Sequence, residues 1–294
     1  MHPRTPVQKS VDITHMHINV HEWGHAVEDE ASVVLLHATG FHGRIWDKVV
    51  SHLPHHHVIA IDLRGHGNSG DTLFDNWYEF GEDIAHTIRQ LGLTKVVLVG
   101  HSLGAVASVI AAHIEPNIIE KVMLIDPVIL PPEAYLGGDV PMGHAEKATK
   151  ARQADFASVD AMIERYRDRQ PFALFDSDVF HDYCQHGLRW DDKKQAYTLS
   201  CKPEFEARVY SHMSSYKAIY QTLEGLEQTV HVLRAMQPPG YDKFYGFSYS
   251  PTYPGLVQHI KNGVDINLDS LTHFIPQQDP ALTAEHIQAL IEQS

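Results

Sequence analysis

Short apolar runs alternate with stretches whose apolar positions recur at helical spacing. Residues 32–37, Val58–Ile61, 96–99 and 121–125 are such runs, three of them rich in valine and isoleucine. Runs of this length and composition predict strands buried on both faces. Between them, residues 78–91 place Ile84, Ile88 and Leu91 on one helical face, with Gly92 just past the end. Leu103–Ile114 is small and aliphatic, as a buried helix requires. A shorter helix starts near Arg44, carries Trp46, Val49, Val50 and Leu53, and stops at Pro54. Residues 11–20 alternate loosely and read as a first, edge-like strand. Strands alternating with helices predict an α/β fold, a mostly parallel sheet covered on both sides.

The rhythm breaks after Pro127. Pro131-Pro132 and the glycines near 137 mark a boundary, and residues 142–223 carry polar helical segments and many aromatics. Candidate helices there are 144–156, 160–169 and 203–222. The expected organisation is a core of residues 1–130 and 224–294 with an inserted cap, 131–223. Phe172, Phe175, Phe180, Tyr183 and Trp190 either line a cavity under that cap or form its own core. Residues 229–234 resume the sheet. The proline-, glycine- and aromatic-rich loop 236–254 is long enough to belong to a binding site. A short helix over 253–261, a last strand at Gly263–Leu268 and a terminal helix capped by Asp279-Pro280 complete the chain.

At 294 residues and 43% hydrophobic, the chain fills a substantial core, and no run approaches the length of a membrane span. The formal charge of −14 opposes binding to nucleic acid or anionic membrane. Cys184 and Cys201 define no disulfide framework, and no apolar leader opens the sequence, so a cytoplasmic location is expected. The 23 histidines predict a surface charge that varies strongly between about pH 5 and 8. His15, His17, His21 and His25 cluster on the first strand. With no carboxylate or cysteine pattern to complete a metal site, they read as exposed imidazoles.

Chemistry concentrates at Gly100-His101-Ser102-Leu103-Gly104, a G-x-S-x-G sequence between a strand and a helix. Small residues around the serine permit a sharp turn that lifts its hydroxyl above the sheet edge. A serine hydroxyl needs a base, and His273, in a loop after the last strand, is the candidate. The base needs an acid to orient it. Asp126, at the end of the strand following the serine, is preferred, with Asp242 the runner-up. The backbone N–H groups of Leu103 and Thr39 are the expected oxyanion donors. His101 is expected to point away from the serine and to be structural. Asp62 and Arg64 tie down the glycine-rich turn 62–70, which lacks the helix and distal acid of a dinucleotide site.

Leu36-His-Ala-Thr-Gly-Phe41 with Trp46, Asp62-Leu-Arg-Gly-His-Gly67 with Ser69, Gly100-His-Ser-Leu-Gly104 and Leu271-Thr-His-Phe-Ile-Pro276 together resemble the α/β-hydrolase superfamily. The resemblance implies an eight-stranded, mostly parallel sheet flanked by helices, with a helical cap after the sixth strand. It also implies Ser102 as nucleophile, His273 as base, and Leu103 with Thr39 as oxyanion hole. Two departures stand out: Ala38 replaces the usual glycine, and no acid lies soon after the seventh strand at 234–240. Some members carry the acid after the sixth strand, as Asp126 is. The expected function is hydrolysis of a small, partly apolar carboxylic ester through an acyl-enzyme, without cofactor or metal. Lactone, thioester, amide and carbon–carbon-bond hydrolysis, and perhydrolysis, fit the same core. A non-catalytic small-molecule receptor is the alternative of another class. The sequence sets no oligomeric state.

Overall fold

The computed structural model describes residues 5–137, 143–240 and 246–293. Six strands come first: β1 (Val7–Ile13), β2 (Met16–Trp23), β3 (Ser32–Leu36), β4 (Val58–Ile61), β5 (Val96–His101) and β6 (Ile119–Ile125). The chain then leaves the sheet for an excursion containing β7 (Asp155–Phe156), β8 (Leu188–Asp191) and β9 (Ala196–Leu199). It returns as β10 (Thr229–Ala235) and β11 (Gly263–Leu268). The main sheet has eight strands in the order β1-β2-β4-β3-β5-β6-β10-β11. β2 runs antiparallel to both its neighbours, β1 and β4, and from β4 to β11 neighbouring strands are parallel. This is the α/β-hydrolase fold, with a cap after the sixth strand.

Side chains of the central strands sort by the two-residue period of a strand. Val34, Leu36, Leu98, Val122 and Leu124 join one core with the helices Tyr78–Gln90 and Leu103–Ile114. Val33, Leu35, Val97, Val99, Met123 and Ile125 join a second core with Asp47–Ser51, Pro280–Glu292 and part of the cap. A helix layer on each face explains why these strands are apolar at every position rather than alternating.

The first strand of the sequence reading is two strands. Residues 11–20 span a hairpin in which Ile13 pairs with Met16 and Thr14-His15 form the turn. Its histidines do not behave alike. His15, His17 and His25 are exposed, whereas His21 is buried, with Nε2 3.5 Å from the Asp62 carboxylate.

The cap is not wholly helical. β7, β9 and β8 form a small antiparallel sheet. The expected helix over 144–156 stops at Lys150, and Phe156 instead pairs with Tyr197. The expected helix over 203–222 breaks into Pro203–Ser211 and Ile219–Glu224. Between them, Ser215 accepts from the Trp77 N–H at 2.9 Å and the Asn76 amide at 3.2 Å, contacts that a continued helix would forgo. The sequence reading missed the helix Ser177–His186, whose N-cap Asp176 accepts from the N–H groups of Asp178 and Val179. Among the described residues, no helix is long and apolar enough to cross a membrane.

Candidate active site

The parallel strands deliver their carboxyl ends to one edge of the sheet. Ser102 follows β5 there with φ +58° and ψ −114°, a conformation an L-residue adopts only under constraint. The constraint is visible. The Ser102 N–H donates to the Ile125 carbonyl at 3.0 Å, while the flanking glycines let the new helix press against the sheet. A Cβ on Gly100 would lie 2.3 Å from the Gly104 carbonyl oxygen, and one on Gly104 would lie 2.5 Å from that of Leu36. Both spacings of G-x-S-x-G are therefore steric requirements.

His273 Nε2 stands 3.0 Å from Ser102 Oγ, and its Nδ1 lies 2.7 Å from Asp126 Oδ2. All three side chains are buried, with His273 and Asp126 at 2% and 0% exposure, so water competes little for these contacts. Asp126 takes positive φ at the end of β6. Its Oδ1 accepts from the Ala235 N–H at 3.0 Å, from Ser250 Oγ at 2.5 Å and, at longer range, from Thr252 Oγ1 at 3.3 Å. These donors occupy Oδ1, which leaves Oδ2 to take the Nδ1–H of His273. Ser250 and Thr252 lie in the long loop after β10, whose Phe247 stacks on the His273 ring at 5.0 Å. The runner-up acid, Asp242, lies outside the described residues.

His101 is buried beside the serine and bonds to the base candidate's backbone. Its Nε2–H donates to the His273 backbone carbonyl at 2.8 Å, and the rings lie 5.0 Å apart. Burial, reinforced by His273, depresses its pKa well below the ordinary value.

The loop carrying Thr39 is fixed by two more neutral histidines. His37 donates from Nδ1 to the Ala38 carbonyl at 2.7 Å and accepts from the Leu63 N–H at 3.0 Å. His66 donates from Nδ1 to the Arg64 carbonyl and accepts the Gly40 N–H at Nε2, 3.0 Å away. Gly40 is thereby engaged as a donor, and Thr39 lines the cavity with Ser102. Burial pushes the His37 imidazole down to about 3 and that of His66 to about 4. Below this loop, Asp62 accepts from the N–H groups of Gly43 and Asn68, and Arg64 grips Asp83 through two hydrogen bonds. The glycine-rich turn is structural, as read from the sequence. Neither the histidine clamps nor the Ser250–Thr252 pair was anticipated, because each joins loops far apart in sequence.

Histidines withheld from titration also narrow the expected charge swing. His42 and His186, both at about 4 through burial, join His37 and His66 as imidazoles that stay neutral above about pH 5, and burial lowers His101 as well.

A cavity of about 680 Å³ opens over Ser102 and His273. Thr39, Phe41, Phe172, Tyr183, Phe247 and Phe274 give it an apolar floor and wall. The five cap aromatics divide. Phe172 and Tyr183 line the cavity and stack at 5.0 Å, while Phe175 and Phe180 pack in the core behind it. Trp190 is half-exposed against Tyr197. One group with metal-ligating atoms, Asp47, Asp182 and His186, lies outside this lining. There Arg44 already forks onto Asp47.

The fold and this site define an α/β-hydrolase. Residues 33–286 match the alpha/beta hydrolase family, and the chain belongs to it. It is 31% identical over 114 residues to the lipase LipV of Mycobacterium tuberculosis, covering 39% of this chain and 44% of that protein. It is 33% identical over 124 residues to the 2-(acetamidomethylene)succinate hydrolase of Mesorhizobium japonicum, covering 41% and 42%. The chain thus matches less than half the length of these curated relatives. A crystal structure of an E-2-(acetamidomethylene)succinate hydrolase superposes with a TM-score of 0.78 at 20% identity, covering 98% of this chain and all of that one.

Proposed function

We propose that the protein is a serine hydrolase of small carboxylic esters. The observation that carries the reading is the continuous Ser102–His273–Asp126 hydrogen-bond chain opening onto a largely apolar cavity. In this reading His273 Nε2 takes the proton of Ser102 Oγ as it attacks the ester carbonyl carbon. Asp126 holds the Nδ1–H tautomer and stabilises the imidazolium that forms. The N–H groups of Leu103 and Thr39 receive the negative charge on the former carbonyl oxygen. His273 then returns the proton to the leaving alkoxide, and the alcohol departs. Water, deprotonated by the same imidazole, attacks the acyl-serine and releases the acid. Each step is supplied by groups of this chain.

Cavity size and lining support a small, partly apolar substrate rather than a polymer. The test is a panel of short- and medium-chain 4-nitrophenyl esters with wild type and Ser102→Ala, together with fluorophosphonate labelling followed by peptide mass spectrometry. The expected result is label on Ser102 and a loss of kcat of at least about 10³-fold in the alanine variant. Full hydrolysis by Ser102→Ala overturns the mechanism. Ligand binding without turnover or label indicates a receptor instead.

A further inference from the structure

The cavity and the chain carry opposite charge. The chain is formally −14, yet the charged side chains among the described lining residues are Arg152, Arg165, Arg169 and Glu206, three cations against one anion. A merely apolar ester gives no reason for this surplus at the site where the protein's field is otherwise negative.

Arg152 is the deepest of the three. Burial opposes its charge, but the Glu206 carboxylate more than offsets this and raises the guanidinium pKa, so it stays cationic. Arg152 Nη2 and Glu206 Oε2 are 2.6 Å apart but lack the alignment of a hydrogen bond. Nε and Nη2 of Arg152 have no hydrogen-bond partner, although they form the edge of the fork that takes a carboxylate through two parallel bonds. The Tyr166 hydroxyl, which also lines the cavity, is likewise buried and unpartnered. Buried donors left unsatisfied cost about 1–3 kcal/mol each and are rare in folded proteins. Nη2 faces the Glu206 carboxylate, which leaves Arg152 Nε and the Tyr166 hydroxyl as two such donors in residues that line one cavity.

Arg165 and Arg169 are exposed; Arg165 lies in the last turn of the helix Val159–Tyr166, and Arg169 follows it with its N–H donating to the Tyr166 carbonyl. The Arg165 guanidinium lies 5.9 Å from the centre of the Tyr166 ring. Neither arginine forms an ion pair among the described residues. They are free to draw an anion toward the cavity.

From these positions we infer that the substrate is an anionic ester, whose carboxylate is drawn to the arginine wall of Arg152, Arg165 and Arg169 while its ester carbonyl lies at Ser102. The placement of the ester rests on the serine-hydrolase reading above; the placement of the charge does not. Apolar rings between the two ends suit a short hydrocarbon link.

Two probes that differ only in that charge test the assignment: mono-4-nitrophenyl glutarate and its methyl-capped diester. The monoanion is expected to show a kcat/KM about tenfold or more above the capped ester, an advantage that shrinks as salt screens the arginines. Arg165→Gln/Arg169→Gln changes exposed side chains, and its melting temperature reports whether it folds. That variant is expected to bring the ratio of the two esters several-fold closer to one. Equal or better hydrolysis of the capped ester overturns the inference, as does an unchanged ratio in the folded double variant. A binding measurement needs no turnover. In Ser102→Ala, calorimetry should show monomethyl glutarate binding more tightly than dimethyl glutarate, and no such preference refutes the anion site. Preferential binding of the monoanion without Ser102 labelling or ester turnover keeps the anion site and removes the hydrolase reading.

Discussion

The Nε2–H of His101 donates to the backbone carbonyl of His273 across 172 positions of sequence. The residue beside the serine thus holds the main chain of the residue that faces the serine. Removing this donor leaves a buried carbonyl unpaired, at a cost of about 1–3 kcal/mol. His101→Ala is expected to lower kcat roughly 10- to 100-fold with little change in KM, since substrate contacts persist while the base loses its footing. His101→Gln, which restores a donor, should recover part of the loss. Equal losses in kcat and structural stability for both variants would argue for a packing role alone.

Asp126→Asn keeps the shape of the acid and removes its charge. In a triad this stabilises the wrong imidazole tautomer, and kcat is expected to fall on the order of 10⁴-fold. Asp242→Asn is expected to retain the wild-type rate. Steady-state kinetics on both variants decides between them, and collapse in the Asp242 variant alone transfers the role.

Stability is expected to decline on mild acidification. His37, His42 and His66 are buried, and burial places their imidazoles at about 3, 4 and 4 in the folded protein. In the unfolded chain they protonate near the ordinary value of about 6.5. Between these limits the unfolded state binds more protons, so stability is full above pH 6.5 and is lost as pH falls toward 4. Each imidazole contributes roughly 1.4 kcal/mol per pH unit once the pH is well below 6.5. Urea midpoints measured from pH 7.5 to 5 should fall steeply, and a flat series would contradict the burial of these rings as neutral groups.

The Arg152–Glu206 pair offers a further measurement. Glu206 packs against the Thr39–Gly40 loop so closely that a Cβ on Gly40 would lie 2.7 Å from its Oε1. Burial raises the Glu206 pKa, and Arg152 offsets this in part. Arg152→Met strands that carboxylate and is expected to cost about 3 kcal/mol, with Arg152→Met/Glu206→Leu regaining most of it. Denaturant unfolding of wild type, Arg152→Met, Glu206→Leu and the double variant gives the coupling directly. Additive effects would mean the two charges do not sense each other.

What could be read in advance follows from how local each signal is. β3 to β6 are apolar on both faces because helices cover both, and that signal lies within each run. Ser102 declares itself because the elbow needs glycine on both sides. β7 does not: two residues, Asp155 and Phe156, become a strand only because Thr198 and Tyr197 pair with them. The same holds at the site. Ser250 and Thr252 are ordinary loop residues until the fold sets them against Asp126, more than 120 positions earlier. Arg152 is legible only as a charge on a polar helix pattern, and its meaning depends on Glu206 and Tyr166 closing the same cavity.

The hydroxyl and the imidazole meet across 171 positions. On a ribosome making about 5–20 residues per second, the serine therefore precedes its partner by roughly ten seconds or more. Under the proposed mechanism, the emerging chain carries through that interval a serine without its base, and a protein cut short anywhere in those positions would be chemically silent rather than indiscriminately reactive.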